Sequence, residues 1–315
     1  MRIAVVINGS AGSLVGRETA AEEVAAHLRA AGYEVLVEHD DGRGLVERIR
    51  DARRHDADAV VVGGGDGTIA CAAQHLVGTG VTLGILPLGT MNLLAKDLGV
   101  PTILGEAVDA LAHGVVREID VGEVNGRVFL INSVLGMPAR LARHREARRG
   151  AMRWHDVWRM VVGAFRELYR YPPLTVGLEV GRNRRRIRTR AVAVVDNDYD
   201  EGFGRIFTRS RLDGGRLTLY VTRGLTGWSL VKLAFRMAMG SWRAAANLER
   251  FEGERFVISA RRNRLRVMND GEVLLLKPPL RYRVRPKALR ILVPAAAAGK
   301  AEPPAVAEPA TGAAA

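Results

Sequence analysis

The sequence predicts a mixed α/β protein in two parts: an N-terminal α/β domain with a parallel sheet, residues 1–118, and a β-rich second domain, residues 119–285. Three observations carry this. Up to about residue 118, apolar β-branched runs alternate with segments whose apolar residues recur at helical spacing, the grammar of a parallel sheet with crossover helices. Beyond Glu118, short strands follow one another with turn residues between them, the grammar of antiparallel pairing. The glycine-bearing turns of the first part all fall at strand ends, where an open α/β sheet has its ligand crevice.

Ile3-Ala4-Val5-Val6-Ile7 is a first strand, closed by the small-residue turn Asn8-Gly9-Ser10-Ala11-Gly12. Ala21, Val24, Leu28 and Ala31 share one face of a helix that Gly32 stops. Tyr33 to Glu38 reads as strand, and Leu45, Ile49 and Ala52 mark a helix between Gly44 and Arg54. Val60-Val61-Val62 is a buried strand that breaks into Gly63-Gly64-Gly65-Asp66-Gly67-Thr68 and resumes as helix through Ile69, Ala73 and Leu76. Thr82 to Leu86 is another strand, ending in Pro87-Leu88-Gly89-Thr90-Met91-Asn92, and Leu104, Ala107, Val108 and Leu111 form one more helix.

In the second part, Ile119 to Val124 and Val128 to Asn132 flank Asn125-Gly126, the dipeptide of a tight hairpin turn. Ala139 to Tyr171 reads as a helical interlude dense in Arg and His. Strands follow at Leu174–Val180, Ile187–Val195, Arg216–Val221, Arg255–Ala260, Leu265–Asn269 and Leu280–Val284. Between them Trp228 to Trp242 reads as a sheet-covering helix, with Leu230, Leu233, Ala234 and Met237 on one face. A last strand, about residues 286–293, rejoins the first domain, and the Ala- and Pro-rich residues 294–315 read as a disordered tail.

The glycine loop around Asp66 carries the chemistry. Glycine allows a ligand to approach the main chain, and the amides that open the following helix are unpaired donors, so the loop reads as a phosphate cradle. It lacks the Gly-Lys-Ser/Thr of a Walker loop and the G-x-G-x-x-G of a dinucleotide fingerprint. A carboxylate beside phosphate calls for a divalent cation between them or for a proton to be taken from an attacking group; the competing reading is a tight turn with a capping Asp66.

Composition narrows the class. A chain of 315 residues with 47 Lys and Arg against 34 Asp and Glu has a formal charge of +13, which asks for an anionic partner: nucleotide, nucleic acid or anionic lipid. No stretch is long and apolar enough to cross a bilayer, and the opening residues read as a strand rather than a signal peptide, so a cytoplasmic protein is expected. The single cysteine, Cys71, excludes an internal disulfide and a cysteine-based metal site, and its place in the helix after the glycine loop implies packing.

Four motifs in this order, Asn8-to-Gly12, Gly63-to-Thr68, Gly89-Thr90-Met91-Asn92 and Asn269-Asp270-Gly271-Glu272, resemble the diacylglycerol kinase catalytic-domain family, which includes bacterial lipid kinases and sphingosine kinases. The likeness spans about residues 3 to 293. The glycine loop is shared with NAD kinases; Ala95-Lys96-Asp97-Leu98-Gly99 and the late Asp-Gly-Glu favour the lipid side. The resemblance implies a C-terminal antiparallel β-sandwich with accessory helices and an active site between the domains. It implies ATP and Mg²⁺ as cofactors, with Asn8, Gly64, Gly65, Gly67, Thr68, Gly89, Thr90 and Asn92 around the nucleotide, and Asp66 near the transferred phosphoryl group and its Mg²⁺. Asp120 would extend the metal network. Glu272 is the first choice for the general base and Asp270 the second. The chain departs from the family pattern at Gly9, Ala70 and Leu93, and Gly214 stands where some members carry an acidic ligand to a structural Mg²⁺.

The expected activity is transfer of the γ-phosphoryl group of ATP to a hydroxyl of a lipid such as diacylglycerol or a sphingoid base. The alternatives are an NAD kinase-like phosphotransferase on a soluble substrate and a non-catalytic basic protein. Expected partners are the lipid substrate and the anionic inner face of the membrane, touched peripherally; the arginine run Arg182 to Arg190 is either an exposed hairpin or part of that contact. Nucleic acid is not expected, since no helix-turn-helix, RRM or zinc pattern accompanies the charge. The oligomeric state stays open, a homodimer included.

Overall fold

The structure, a computed structural model, describes residues 1–9, 19–39, 41–136, 173–202, 207–224 and 226–298. Its first part alternates strand and helix as expected: β1 (Arg2–Ile7), α1 (Ala20–Ala30), β2 (Glu34–Glu38), α2 (Leu45–Arg54), β3 (Ala59–Gly64), α3 (Asp66–Leu76), β4 (Thr82–Pro87), α4 (Leu93–Asp97) and α5 (Leu104–Ala112). The parallel order is β2-β1-β3-β4. β3 and β4 are buried along their whole length, which is why they read as unbroken apolar runs: helices cover both faces of a parallel sheet. α2 also buries a charge. The Arg48 guanidinium donates to the carbonyls of Ile7 and Glu38, capping the ends of two neighbouring strands from within the core.

The remaining elements are β5 (Val115–Val124), β6 (Arg127–Phe129), β7 (Asn132–Gly136), β8 (Leu174–Val180), β9 (Asn183–Thr189), β10 (Ala191–Asp196), β11 (Leu217–Thr222), α6 (Gly227–Ala238), β12 (Leu248–Gly253), β13 (Arg255–Ala260), β14 (Leu265–Asn269), β15 (Glu272–Leu276) and β16 (Leu280–Val293). β12-β11-β10-β7-β14-β15 form a six-stranded sheet. β16 extends the first sheet: its C-terminal end pairs in parallel with β4 at Ile291 and Leu83, and its N-terminal half pairs antiparallel with β13, which leads on to β8 and β9. The two sheets face each other over a second core that includes Leu178, Ile187, Val194, Leu219, Phe256 and Ile258. This is the antiparallel sandwich.

Several details differ from the sequence reading. The boundary expected after residue 118 falls inside β5, which pairs with β16 along both halves of the molecule, so one sheet runs through both. The stretches Leu280–Val284 and 286–293 are one strand with a register shift between Arg285 and Leu289. Ile187–Val195 is two strands in different sheets, because the chain crosses the sandwich between Thr189 and Ala191, where the Thr189 hydroxyl donates to the Thr222 carbonyl at 2.8 Å. The Asn125-Gly126 turn forms as expected, with φ of 48° and 82°. The helical interlude at 139–171 lies outside the described residues, as does the tail from residue 299, but the first residues of the tail expected to be disordered from 294 form a short helix, α7 (Ala295–Ala298), whose Ala297 amide donates to the Pro294 carbonyl at 2.9 Å. Leu233 and Met237 of α6 pack on the core as expected, but the helix has a second, exposed apolar side.

Candidate active site

The glycine turn after β3 opens α3 with Gly65 as N-cap, and no side chain caps the helix. The amides of its first turn are therefore left for a ligand, with the positive end of the helix dipole behind them. The Asn8 amide donates to Thr68 Oγ1 at 3.0 Å and fixes that hydroxyl at the turn, above Gly64. Here the motif after β1 and the motif after β3 meet.

The third motif closes against the second. A Cβ on Gly89 would stand 2.5 Å from Gly65 Cα, so the two backbones touch where neither residue has room for a side chain. Asp66 Oδ1 accepts the Leu93 amide at 2.8 Å. Asp66 therefore does act as a cap, but on the short helix α4 of the neighbouring turn rather than on its own helix. Partial burial raises its carboxyl above the usual range, opposed by the amides of Leu93, Asn92 and Leu94. Asn92, expected at the nucleotide, is spent on its own turn: Oδ1 accepts the Gly89 amide at 2.9 Å, and Nδ2 donates to the carbonyls of Pro87 and Gly89 at 3.2 and 2.8 Å. With φ of 47° it shapes the turn, while Thr90 stands exposed beside it.

The Asp270-Gly271-Glu272 turn between β14 and β15 reaches this site from the sandwich. A Cβ on Gly67 would lie 2.9 Å from Glu272 Oε1, so the carboxylate reaches the first turn of α3 because residue 67 is a glycine. One turn on, the Cys71 thiol is held above its ordinary pKa by burial and then by the negative charge of Glu272. Gln74, the next residue on that face, accepts the Val128 amide at 2.9 Å. Gly67, Cys71 and Gln74 thus form the stripe of α3 that abuts the second part.

The two candidate bases separate clearly. Asp270 is buried and accepts three amides: Leu130 on Oδ2 at 2.6 Å, and Ile131 and Asn132 on Oδ1 at 2.9 and 3.0 Å. Burial pushes its carboxyl up to about 6 in spite of them. Glu272 is exposed at the glycine turn. Asp270 clamps residues 130–132; Glu272 faces the site. Asp270→Asn is expected to turn an NH₂ group against one of these amides and cost about 1–3 kcal/mol of stability, the scale of a buried donor left unsatisfied. Urea unfolding of the variant checks this, and unchanged stability would mean the clamp is dispensable.

A buried arginine missed by the sequence reading joins the halves. Arg209 donates through Nε to Asp97 Oδ2 at 2.9 Å, and through Nη1 to the carbonyls of Leu130 and Asp196, each at 2.8 Å. Asp97 ends α4, and Leu130 is one of the residues held by Asp270, so this network sets the Glu272 turn against the glycine turns. Burial pushes the Asp97 and Asp196 carboxyls up against the pull of Arg209. No spacing in the sequence signals Arg209, which sits in a polar loop.

Asp120, the second metal candidate, is engaged elsewhere. Its Oδ1 accepts the Lys287 amide at 2.9 Å and its Oδ2 the Gly215 amide at 2.6 Å, while the Asn197 side-chain amide donates to Oδ2 from 3.3 Å. Gly214 donates to Asn197 Oδ1 at 2.8 Å. A cation at Asp120 would have to displace amide donors, so this geometry gives the metal role no support, and among the described residues no group of three or more His, Cys, Asp or Glu is arranged around a common point for a metal. Asp66 alone of the two stands at the glycine turn. No helix among the described residues is long and apolar enough to cross a membrane.

Comparison with known proteins identifies the two parts of the chain. The profile of the diacylglycerol kinase catalytic domain matches residues 2–124, and that of the YegS C-terminal NAD kinase beta sandwich-like domain matches residues 134–293. The proteins named "Probable lipid kinase YegS" from Salmonella newport (strain SL254) and Salmonella heidelberg (strain SL476) are 36% identical over 114 residues, a match that spans 35% of this chain and only 38% of each relative. A solved diacylglycerol kinase from Bacillus anthracis str. Sterne has the same fold, with a TM-score of 0.67 at 18% identity over 94% of this chain and 98% of that one. A second solved chain from the same strain gives a TM-score of 0.72 at 17% identity with the same coverage. With the catalytic-domain profile over the glycine turns and the sandwich profile over the rest, the chain belongs to the diacylglycerol kinase catalytic-domain family, in its YegS-type two-domain form.

Proposed function

We propose that this protein transfers the γ-phosphoryl group of ATP to a hydroxyl of a lipid, with Glu272 as the general base. The observation that carries the proposal is the meeting of Glu272 with the first turn of α3 at Gly67, which puts a proton acceptor from one half beside a phosphate cradle from the other. The donor set fits the cofactor. Uncapped amides of Gly67 and Thr68 and the Thr68 hydroxyl suit phosphate oxygens, and the Asp66 carboxylate is a hard oxygen donor beside them. Mg²⁺ is commonly held by one or two carboxylates together with substrate phosphates, so a full protein cage is not required. Bound Mg²⁺–ATP would supply the phosphoryl group and offset the charge of the two carboxylates.

The chain's own part is positioning and proton transfer. The α3 amides hold the phosphates, and the Asp66 tie to Leu93 keeps the two glycine turns in one geometry. The Arg209–Asp97 pair holds the sandwich against that surface. The lipid hydroxyl enters between Glu272 and the cradle and passes its proton to the Glu272 carboxylate as it attacks. The test is ATP-dependent phosphorylation of a panel of diacylglycerol, sphingosine, ceramide, phosphatidylglycerol and NAD. Turnover on one of the lipids is expected. The NAD kinase-like sandwich profile favours one other reading, a soluble acceptor, and turnover on NAD alone would establish it instead.

A further inference from the structure

α6 is apolar on two opposite sides. With 3.6 residues per turn, Trp228, Val231, Phe235 and the adjoining Met239 fall within an arc of about 100°, and Leu233 and Met237 lie across from them. The inner pair packs on the core that holds Tyr199, Tyr220 and Trp242. The outer four are exposed, Trp228 by 68% and Phe235 by 66%, although water-facing helix positions are ordinarily polar. A sheet-covering helix needs only one apolar face, so the second calls for a partner.

The surroundings of this stripe indicate which one. From Gly214 to Leu248 every charged residue is basic: Arg216, Arg223, Lys232, Arg236 and Arg243. Lys232 lies along the stripe with Nζ 5.6 Å from the centre of the Trp228 ring, and Arg188 and Arg190 line a cleft with the helix N-cap, Thr226. Arg216, Arg223 and Arg243 are paired with Glu252, Glu249 and Asp198, while Lys232 borders the stripe itself; aromatic and long apolar side chains edged by a cation on the same helix are the pattern of a helix lying in a bilayer interface over anionic headgroups. A run of contacts leads from beneath α6 toward the active site. Tyr199 packs edge-on against Trp242 under α6, and its hydroxyl accepts the side chain of Asn132, whose amide is bound by Asp270 next to Glu272.

We propose that the outer face of α6 docks this protein on an anionic lipid bilayer. The choice of a bilayer over another apolar partner rests on the lipid-kinase reading above. The arginine strand β9 has a different place: Arg184 and Arg186 alternate with Ile187, whose side chain is in the sandwich core, so they face outward from the opposite sheet. They are an internal control for charge acting without contact.

The test measures co-sedimentation with phosphatidylglycerol–phosphatidylcholine vesicles without nucleotide, together with solution mass. The doubly substituted protein Trp228→Ser, Phe235→Ser should fold normally, since both side chains are exposed, and partition at least ~10-fold less, because interfacial binding scales with buried apolar area. Lys232→Glu should weaken binding to these vesicles but not to pure phosphatidylcholine. Arg184→Glu with Arg186→Glu should change binding less than the Trp228 and Phe235 substitutions do, as charges that are not part of the apolar stripe act only through a screened field. Turnover on a water-soluble short-chain diacylglycerol should be unaffected by the α6 substitutions.

Undiminished vesicle binding by the α6 variant, or a loss confined to the β9 variant, overturns the proposal. A shift from dimer to monomer with vesicle binding intact would mean that a second copy covers the stripe. Trp228 emission already shielded from iodide without vesicles would mean that the chain itself does. Failure of the lipid-kinase reading looks different: vesicle binding would still depend on Trp228 and Phe235, while no lipid in the panel is phosphorylated.

Discussion

Glu272→Gln is expected to lower turnover by about 10²–10⁴-fold, the range for removal of a positioned acid–base group, while leaving nucleotide affinity close to normal. The reason is the division of labour at Gly67. The amides that hold phosphate belong to α3 and stay in place when the Glu272 turn loses its charge, and Gln is close enough in shape to keep the contact with Gly67. Only the capacity to take a proton disappears. Measuring kcat and the dissociation constant of Mg²⁺–ATP in the same preparation checks the expectation, and a variant that turns over normally would remove Glu272 from the base role.

Asp66→Asn should behave differently. The carboxamide oxygen of the substituted side chain could still accept the Leu93 amide, so the tie between the glycine turns and the fold itself should survive. The charge beside the phosphates would be gone, and a loss of at least ~10²-fold in turnover is expected, the scale for removal of one preorganised electrostatic group. Unlike Glu272→Gln, this change should also shift the Mg²⁺ dependence, because oxygen donors set how the cation is held. Near-normal turnover in a folded Asp66→Asn protein would leave Asp66 as the cap of α4 and nothing more. If Glu272→Gln weakens Mg²⁺–ATP binding while Asp66→Asn does not, the two roles are the reverse of those assigned here.

The parallel half of the fold was legible because its signals are local. β3 and β4 are continuous apolar runs, and α1, α2, α3 and α5 keep one face apolar, so period and punctuation are enough to place them. The glycine turns were legible for the same reason. The sandwich was harder. β7 and β12 carry too little alternation to stand out, β15 was hidden behind the Asp-Gly-Glu motif, and the change of sheet between Thr189 and Ala191 happens inside an apparently continuous strand. Nothing in a local pattern reports which sheet a strand joins.

Residue types and their near neighbours were enough to show the chemistry on offer: a glycine-lined turn with a carboxylate, a second glycine turn, a late Asp-Gly-Glu, and an excess of basic charge. The division of roles among them came from the folded arrangement. It turned Asn92 and Asp270 into internal clamps, gave the Asp120 carboxylate to backbone amides, and set Glu272 against Gly67. It also supplied the buried Arg209–Asp97 pair and exposed the outer face of α6. In each case the deciding partner lies far along the chain, as with Asp270 and Leu130, 140 residues apart, and whether a carboxylate meets amides, a cation or open space is settled only when those distant segments fold together.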